Sequence, residues 1–124
     1  MTTEEFEANV LNSNITNFEP YFKKATSHEE QLELMIKRAV LAKHGLCIEQ
    51  CLDADGPFAM AILIQNNHCK ERYDDWKTYP SFLVQGALID KGLYLDYFNQ
   101  STDPNIQEAI QEYKKGQLNE QPHL

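Results

Sequence analysis

Two histidines and three cysteines lie close together in the middle of this chain. His44, Cys47 and Cys51 occupy positions i, i+3 and i+7, and the dipeptide His68-Cys69 follows. Histidine nitrogens and cysteine thiolates are common zinc ligands, and a cysteine beside a histidine base can act as a nucleophile. A small His/Cys metal-dependent enzyme is therefore one hypothesis for this sequence.

The surroundings of these residues favour a packing role instead. Gly45 separates His44 from Cys47, and glycine commonly ends helices, so the three residues need not share one helix face. The sequence contains no Cys-x-x-Cys pair, no Gly-x-Ser-x-Gly and no glycine-rich phosphate loop. The sequence also shows a pattern that recurs about every 24 residues, described below. Cys47 and Cys69 fall at equivalent positions of this pattern, and Tyr94 takes that position in its next copy. We therefore expect no catalytic residue, no metal and no cofactor.

Composition and charge limit the classes to which the chain can belong. Its 124 residues suffice for one compact domain with a core, and an apolar content of 42% argues against disorder. The net charge of −8 disfavours direct binding to nucleic acid and suits a basic protein partner. The three cysteines, the acidic N-terminus and the absence of a long apolar run predict a cytoplasmic protein, in the host cytoplasm if a phage encodes it.

Turn-forming residues recur along the chain at nearly constant intervals. Pro57, Pro80 and Pro104 are 23 and 24 residues apart. Residues that favour a left-handed helix end recur with a similar period, at Gly45, Asn67, Gly92 and Gly116. A period of this size is typical of helical-repeat proteins.

Apolar periodicity and capping signals predict helices through most of the chain. The capping box Ser27 to Glu30 opens a helix predicted over residues 27–44. Its predicted buried face consists of Leu32, Met35, Ile36, Ala39, Val40 and Ala42. Further helices are predicted at 48–52, 58–64, 70–73, 82–89 and 95–98, and a last one from 106 to near Gly116. The sequence thus predicts one all-α domain over 1–116, with an N-terminal cap (1–30), repeats (31–116) and a frayed tail (117–124).

Parts of this pattern resemble the short HEAT-like helical repeats of bacteria and their phages. The repeat unit reads roughly Val-Arg-x-Ala-Val-Ala-x-x-Gly, then Leu-Asp-x-Leu, then an acidic turn. Residues 38–53 and 86–98 are similar to it, and residues 103–107 are similar to its turn and next start. The middle unit departs, with Asn67 for the glycine and Lys70-Glu71 for Leu-Asp. The resemblance covers 34–116. It implies a small α-solenoid of stacked helical hairpins, about three repeats of roughly 24 residues, without catalytic residues.

The segment before Pro80 is the longest predicted irregular stretch, and it contains the single tryptophan. Insertions in repeat proteins often lie on the binding face, and exposed Trp and Tyr are frequent interface anchors. The alternative is that Trp76 has a structural role and fills a groove between helices. With the acidic turn before Pro57 included, the predicted partner-binding residues are Asp53, Asp55, Asp74, Asp75, Trp76 and Tyr79.

We therefore expect a non-enzymatic protein-binding module, a small cytoplasmic inhibitor or adaptor of bacterial or phage type. An alternative rests on the acidic turns, which along one edge of a stack could imitate a row of phosphates. The chain would then be an acidic mimic of nucleic acid that inhibits a defence nuclease, as anti-CRISPR and anti-restriction proteins do. In both cases the expected partner is a protein, and for the alternative it is a basic nucleic-acid-binding enzyme.

Overall fold

The computed structural model describes residues 1–120, the last two by their backbone alone, and every regular element within them is helical. The helices are α1 (Thr3–Leu11), α2 (His28–Lys43), α3 (Ile48–Asp55), α4 (Pro57–Gln65), α5 (Tyr73–Trp76), α6 (Phe82–Asp90), α7 (Leu95–Phe98) and α8 (Pro104–Glu120). Short 3-10 turns cover Glu19–Phe22 and Lys70–Arg72. The predicted all-α class is confirmed. Within residues 1–120, none of the helices has the length and apolar character that crossing a membrane requires.

Side-chain caps begin α1 and α2, and the one at Ser27 is the predicted capping box. The Thr2 hydroxyl accepts a hydrogen bond from the Glu5 amide at 3.1 Å, and the Ser27 hydroxyl accepts one from the Glu30 amide at 3.1 Å. The Glu30 carboxylate in turn accepts from the amide of Thr26, one residue before the cap, at 3.1 Å. These bonds satisfy amides that the first turn of a helix leaves free, so they set the starts of α1 and α2.

Helices α2, α4 and α6 end with the same backbone conformation. Their ends are followed by left-handed residues with φ of +70°, +65° and +73°, at Gly45, Asn67 and Gly92 respectively. Two residues later the backbone is left-handed again, with φ of +52°, +60° and +56°, at Cys47, Cys69 and Tyr94. Three of the four predicted helix ends are therefore confirmed, and so is the equivalence of the two cysteines with the tyrosine.

The residue between the two left-handed positions closes each of these helix ends. The amides of Leu46, His68 and Leu93 donate to carbonyls five residues earlier, at 2.9, 2.9 and 3.0 Å. The acceptors are Leu41, Leu63 and Leu88. This six-to-one hydrogen bond is the Schellman motif, which satisfies carbonyls at the end of a helix.

Contacts from residues later in the chain explain why two of these ends carry glycine and one carries asparagine. A Cβ on Gly45 would lie 2.9 Å from the imidazole of His68, and one on Gly92 would overlap the hydroxyl of Tyr113. At the middle end Asn67 instead accepts a hydrogen bond from Lys91 Nζ at 3.0 Å. Asparagine tolerates the left-handed conformation better than most residues, and here its side chain also gains a partner.

Every second helix, beginning with α2, packs on the next one in the series. Helix α2 contacts α4, α4 contacts α6, and α6 contacts α8. The core consists of two clusters, one built on α1 to α4 and one on α4 to α8. Helix α4 supplies residues to both clusters, while Leu52 and Trp76 pack against both from the side.

Three sequence predictions about local structure are wrong. The last helix does not end near Gly116 but continues to Glu120, so residues 117–120 of the predicted frayed tail are helical. Residues 121–124 lie outside the described part. The stretch before Pro80 is irregular only from Lys77 onward, because Tyr73–Trp76 forms α5. Finally, Leu32 and Ile36 of α2 are about half exposed, whereas Leu34 and Arg38 are buried.

Introducing a charged residue on either side of α6 tests which side of this helix is buried. Leu88 is fully buried, while Leu83 on the same helix is 52% exposed. We expect Leu88→Asp to lower the free energy of unfolding by about 3–5 kcal/mol, because its carboxylate has no partner in the core. Leu83→Asp is the matched control, and we expect it to cost less than about 1 kcal/mol. Urea titrations followed by circular dichroism measure both values, and equal losses would contradict the assigned register.

Candidate functional site

An apolar groove of about 560 Å³ lies along α2, with α1 on one side and α4 on the other. Helix α2 forms its floor, and its lining residues lie three or four positions apart. The apolar lining residues are Leu32, Met35, Ile36, Ala39, Val40, Phe58 and Ile62. Thr3 and Glu7 of α1, Lys43 of α2, and Gln65 and Asn66 at the end of α4 form the polar edge.

Three large apolar side chains of the groove are strongly exposed. Leu32 is 48% exposed, Ile36 51% and Phe58 38%. Isolated exposed apolar residues are ordinary, but a contiguous apolar patch with a polar edge is typical of an interaction site. The groove is therefore the strongest candidate binding site in the described part of the chain.

A polar network joins the two helices at one end of the groove. The Glu7 carboxylate of α1 accepts a hydrogen bond from Lys43 Nζ at 3.0 Å, and His44 Nε2 lies 2.6 Å from the same oxygen. The hydrogen bond with His44, followed by that with Lys43, lowers the pKa of Glu7. The carboxylate is thus held ionised, and it fixes α1 against the end of α2.

Carboxylates without ion-pair partners in the described residues lie beside the groove. Glu29 and Glu33 are exposed on α2, and Glu33 lines an adjoining cavity that shares Thr3 and Ile36 with the groove. Glu29 is three positions before Leu32 and seven before Ile36, which places it on the groove face of α2. Lys37 lines the same adjoining cavity as Glu33, and its Nζ lies 5.9 Å from the ring centre of Phe6 and 5.6 Å from that of Tyr21. Glu7 and Lys43 neutralise each other, and Glu29 and Glu33 outnumber Lys37, so the net charge beside the groove is negative.

A buried ion pair holds the opposite side of α2. Arg38 donates to both carboxylate oxygens of Asp55 at 2.9 Å, and its remaining terminal nitrogen donates to the Tyr21 carbonyl at 3.0 Å. The two side chains are only 10% and 8% exposed. This fork joins α2 to the end of α3 and to the 3-10 turn. Asp55, which the sequence predicted as a partner-binding residue, is therefore occupied within the fold.

The other predicted partner-binding residues lie on α3, on α5 and just beyond α5. Asp53, Asp75 and Tyr79 are exposed. Asp74 is exposed and accepts a hydrogen bond from Lys77 at 2.8 Å. Trp76 is partly buried and packs against both core clusters, as expected if the indole fills a gap between helices. The groove along α2 lies apart from these residues, and the sequence prediction missed it.

A signal for the groove was present in the sequence. Helix α2 carries apolar residues on two faces, one with Leu34 and Leu41 and one with Leu32 and Ile36. A helix that is apolar on more than one face packs on more than one side. Periodicity shows that both faces are apolar, but it does not show which of them the fold covers.

The histidines and cysteines are brought together only in part. His44 is bonded to Glu7, His68 Nε2 lies 2.9 Å from the Lys43 carbonyl oxygen, and Cys51 is fully buried. Within residues 1–120, no group of three or more His, Cys, Asp or Glu side chains has the arrangement of a metal site. Burial raises the pKa of Cys51 to about 12, and it also raises the pKa values of Cys47 and Cys69. All three thiols are therefore protonated at neutral pH, the form that is least reactive.

Comparison with known proteins adds no relative: no family model, no curated protein and no solved structure matches this chain.

The buried ion pair predicts a large loss of stability when one partner is removed. We expect Arg38→Met to lower the free energy of unfolding by about 3–5 kcal/mol, because the Asp55 carboxylate then stays buried without a cation. The double variant Arg38→Met/Asp55→Leu removes both charges and should be more stable than either single variant. Urea denaturation of the four proteins gives the coupling energy. A coupling energy near zero would show that the pair does not form in solution.

The raised thiol pKa values predict slow alkylation of the folded protein. Iodoacetamide reacts with the thiolate, and a raised pKa moves thiolate formation to higher pH than in a free cysteine. We expect no modification of Cys51, and slow modification of Cys47 and Cys69 that accelerates as the pH rises toward and above 9. Peptide mass spectrometry measures each site, with the urea-unfolded chain as the control in which all three react. Rapid alkylation of a single cysteine at pH 7 would contradict the prediction and identify an activated thiol.

Proposed function

We propose that this chain is a non-enzymatic protein-binding module, a small cytoplasmic inhibitor or adaptor that binds one basic protein through the groove along α2. The observation that supports this most is the exposure of Leu32, Ile36 and Phe58 in one contiguous apolar groove. Burying the exposed half of such a side chain against a partner contributes roughly 1 kcal/mol, so several of them together can anchor an interface.

The architecture that we propose is a small α-solenoid of the HEAT-like type, with residues 1–30 as its cap and 31–116 as its repeats. The identical left-handed ends of α2, α4 and α6 support this proposal, as does the packing of these helices on one another in chain order. Solenoids of this kind expose extended surfaces that bind other proteins. A bacterial or phage origin of the module is part of the same proposal.

An acidic mimic of nucleic acid is a second candidate, supported by the distribution of charge. The chain has a net charge of −8, and exposed acidic residues occur in the first turns of α1, α2, α3, α5 and α7. A defence nuclease would bind these carboxylates with its phosphate-binding lysines and arginines. Such a complex would weaken steeply with salt and would not require the apolar groove.

One capture experiment distinguishes the two candidates. The immobilised chain, Ile36→Ser and Leu118→Ser are exposed in parallel to a lysate of the organism that encodes the protein, and bound proteins are quantified by mass spectrometry. Leu118 is 66% exposed on α8 and lies outside the groove, so Leu118→Ser is the matched control. We expect a basic protein that the parent and Leu118→Ser retain and that Ile36→Ser loses by about tenfold or more.

The result of the capture experiment shows whether the partner binds through the groove or through the acidic surface. A partner retained equally by all three proteins but released between about 0.05 and 0.5 M salt would favour the nucleic-acid mimic over the groove. A basic protein that is lost with Ile36→Ser supports the proposed function. The absence of any protein that depends on Ile36 would refute the groove as the binding site.

A further inference from the structure

We infer that the occupant of the groove is a basic amphipathic α-helix of about three turns, supplied by the protein partner. This inference rests on the proposed function, since it requires that the groove binds a protein. It is carried by three properties of the groove, which are its backbone, its length and its charge.

The backbone around the groove favours a helix over an extended segment. The floor and both walls are α-helices, whose amides and carbonyls are bonded within each helix. An extended peptide in the groove would bury its own backbone groups against apolar side chains without partners, which costs free energy at every residue. A helix satisfies its backbone internally and presents only side chains, as in other helix-in-groove complexes.

The length of the groove sets the length of the helix. Its floor extends from Leu32 to Lys43, which corresponds to about 16 Å along α2 at a helical rise of 1.5 Å per residue. A helix that lies along this floor needs about eleven residues, or three turns. Its apolar residues would recur at intervals of three or four, so that they pack between Ile36 of the floor and Phe58 of the wall.

The charge around the groove sets the sign of the occupant. Glu29 lies on the groove face of α2, and Glu33 lines an adjoining cavity that shares Thr3 and Ile36 with the groove. Neither has an ion-pair partner in the described residues, whereas Lys43 is already paired with Glu7. A second copy of this chain would bring another molecule with a charge of −8 to the same acidic border. Lysine or arginine along the edges of the helix would instead be attracted by these carboxylates. An anionic membrane surface is disfavoured for the same reason as a second copy.

Model peptides test this inference directly. The probe is a fluorescein-labelled peptide with two copies of Leu-Lys-Lys-Leu-Leu-Lys-Leu, which forms a basic amphipathic helix. One control peptide has the same sequence with two central residues of D configuration, which keeps the charge but breaks the helix. A second control has glutamate in place of every lysine. Fluorescence anisotropy gives the affinity of each peptide for the parent chain, Ile36→Ser, Phe58→Ser, Glu29→Gln and Leu118→Ser.

The expected pattern has four parts. The helical basic peptide should bind at least about tenfold more tightly than either control peptide. Ile36→Ser and Phe58→Ser should each weaken its binding by about tenfold, and Leu118→Ser should not change it. Glu29→Gln should weaken binding by about twofold and reduce its dependence on salt. Because Ile36 and Phe58 are both partly exposed, the variants should keep the parent's circular dichroism spectrum and melting temperature within a few degrees.

Several results would overturn the inference. Equal binding of the D-residue peptide would exclude a helix, and equal binding of the glutamate peptide would exclude a basic occupant. Dimerisation in sedimentation velocity that Ile36→Ser abolishes would assign the groove to a second copy. Binding to phosphatidylcholine vesicles that depends on Ile36 would assign it to a lipid surface. If the lysate yields a partner that depends on Ile36 but the basic peptide does not bind, the helix inference fails while the proposed function survives.

Discussion

The fold depends on the packing of α4 on two sides at once. This helix, Pro57–Gln65, supplies Ala59 and Leu63 to one core cluster and Met60, Ala61 and Ile64 to the other. A helix that is apolar on more than one face is stable only when protein packs on those faces. Helices α2, α3 and α6 are therefore held in place by contact with α4. A charged residue introduced into the buried part of α4 would disrupt both core clusters.

The groove is a consequence of how α1 and α4 meet α2. Arg38 and Leu34 turn one side of α2 toward the core, and the ion pair between Arg38 and Asp55 fixes that orientation. The other apolar side, with Leu32 and Ile36, is then directed into the gap between α1 and α4. On one side of this gap, the Glu7 carboxylate holds α1 against the end of α2.

The ends of α2, α4 and α6 share one backbone conformation, but their residues make different side-chain contacts. The left-handed pairs beginning at Gly45, Asn67 and Gly92 share one backbone, while each is covered by a different residue from the next unit. The cysteines at two of these ends have raised pKa values because they are partly buried, which suits packing better than nucleophilic chemistry. The helix ends therefore share a regular backbone, while the side chains packed against them differ from one end to the next.

The sequence alone determined the helical class, the Ser27 capping box and three helix ends, because these depend on hydrogen bonds and conformational preferences of neighbouring residues. It did not determine the end of α8, since Gly116 lies in a helix that continues past it to Glu120. Tertiary structure decided which apolar face of α2 is covered and that Asp55 is bound to Arg38, seventeen residues away in the chain. Local periodicity shows that a face is apolar, whereas its burial depends on distant segments that pack against it.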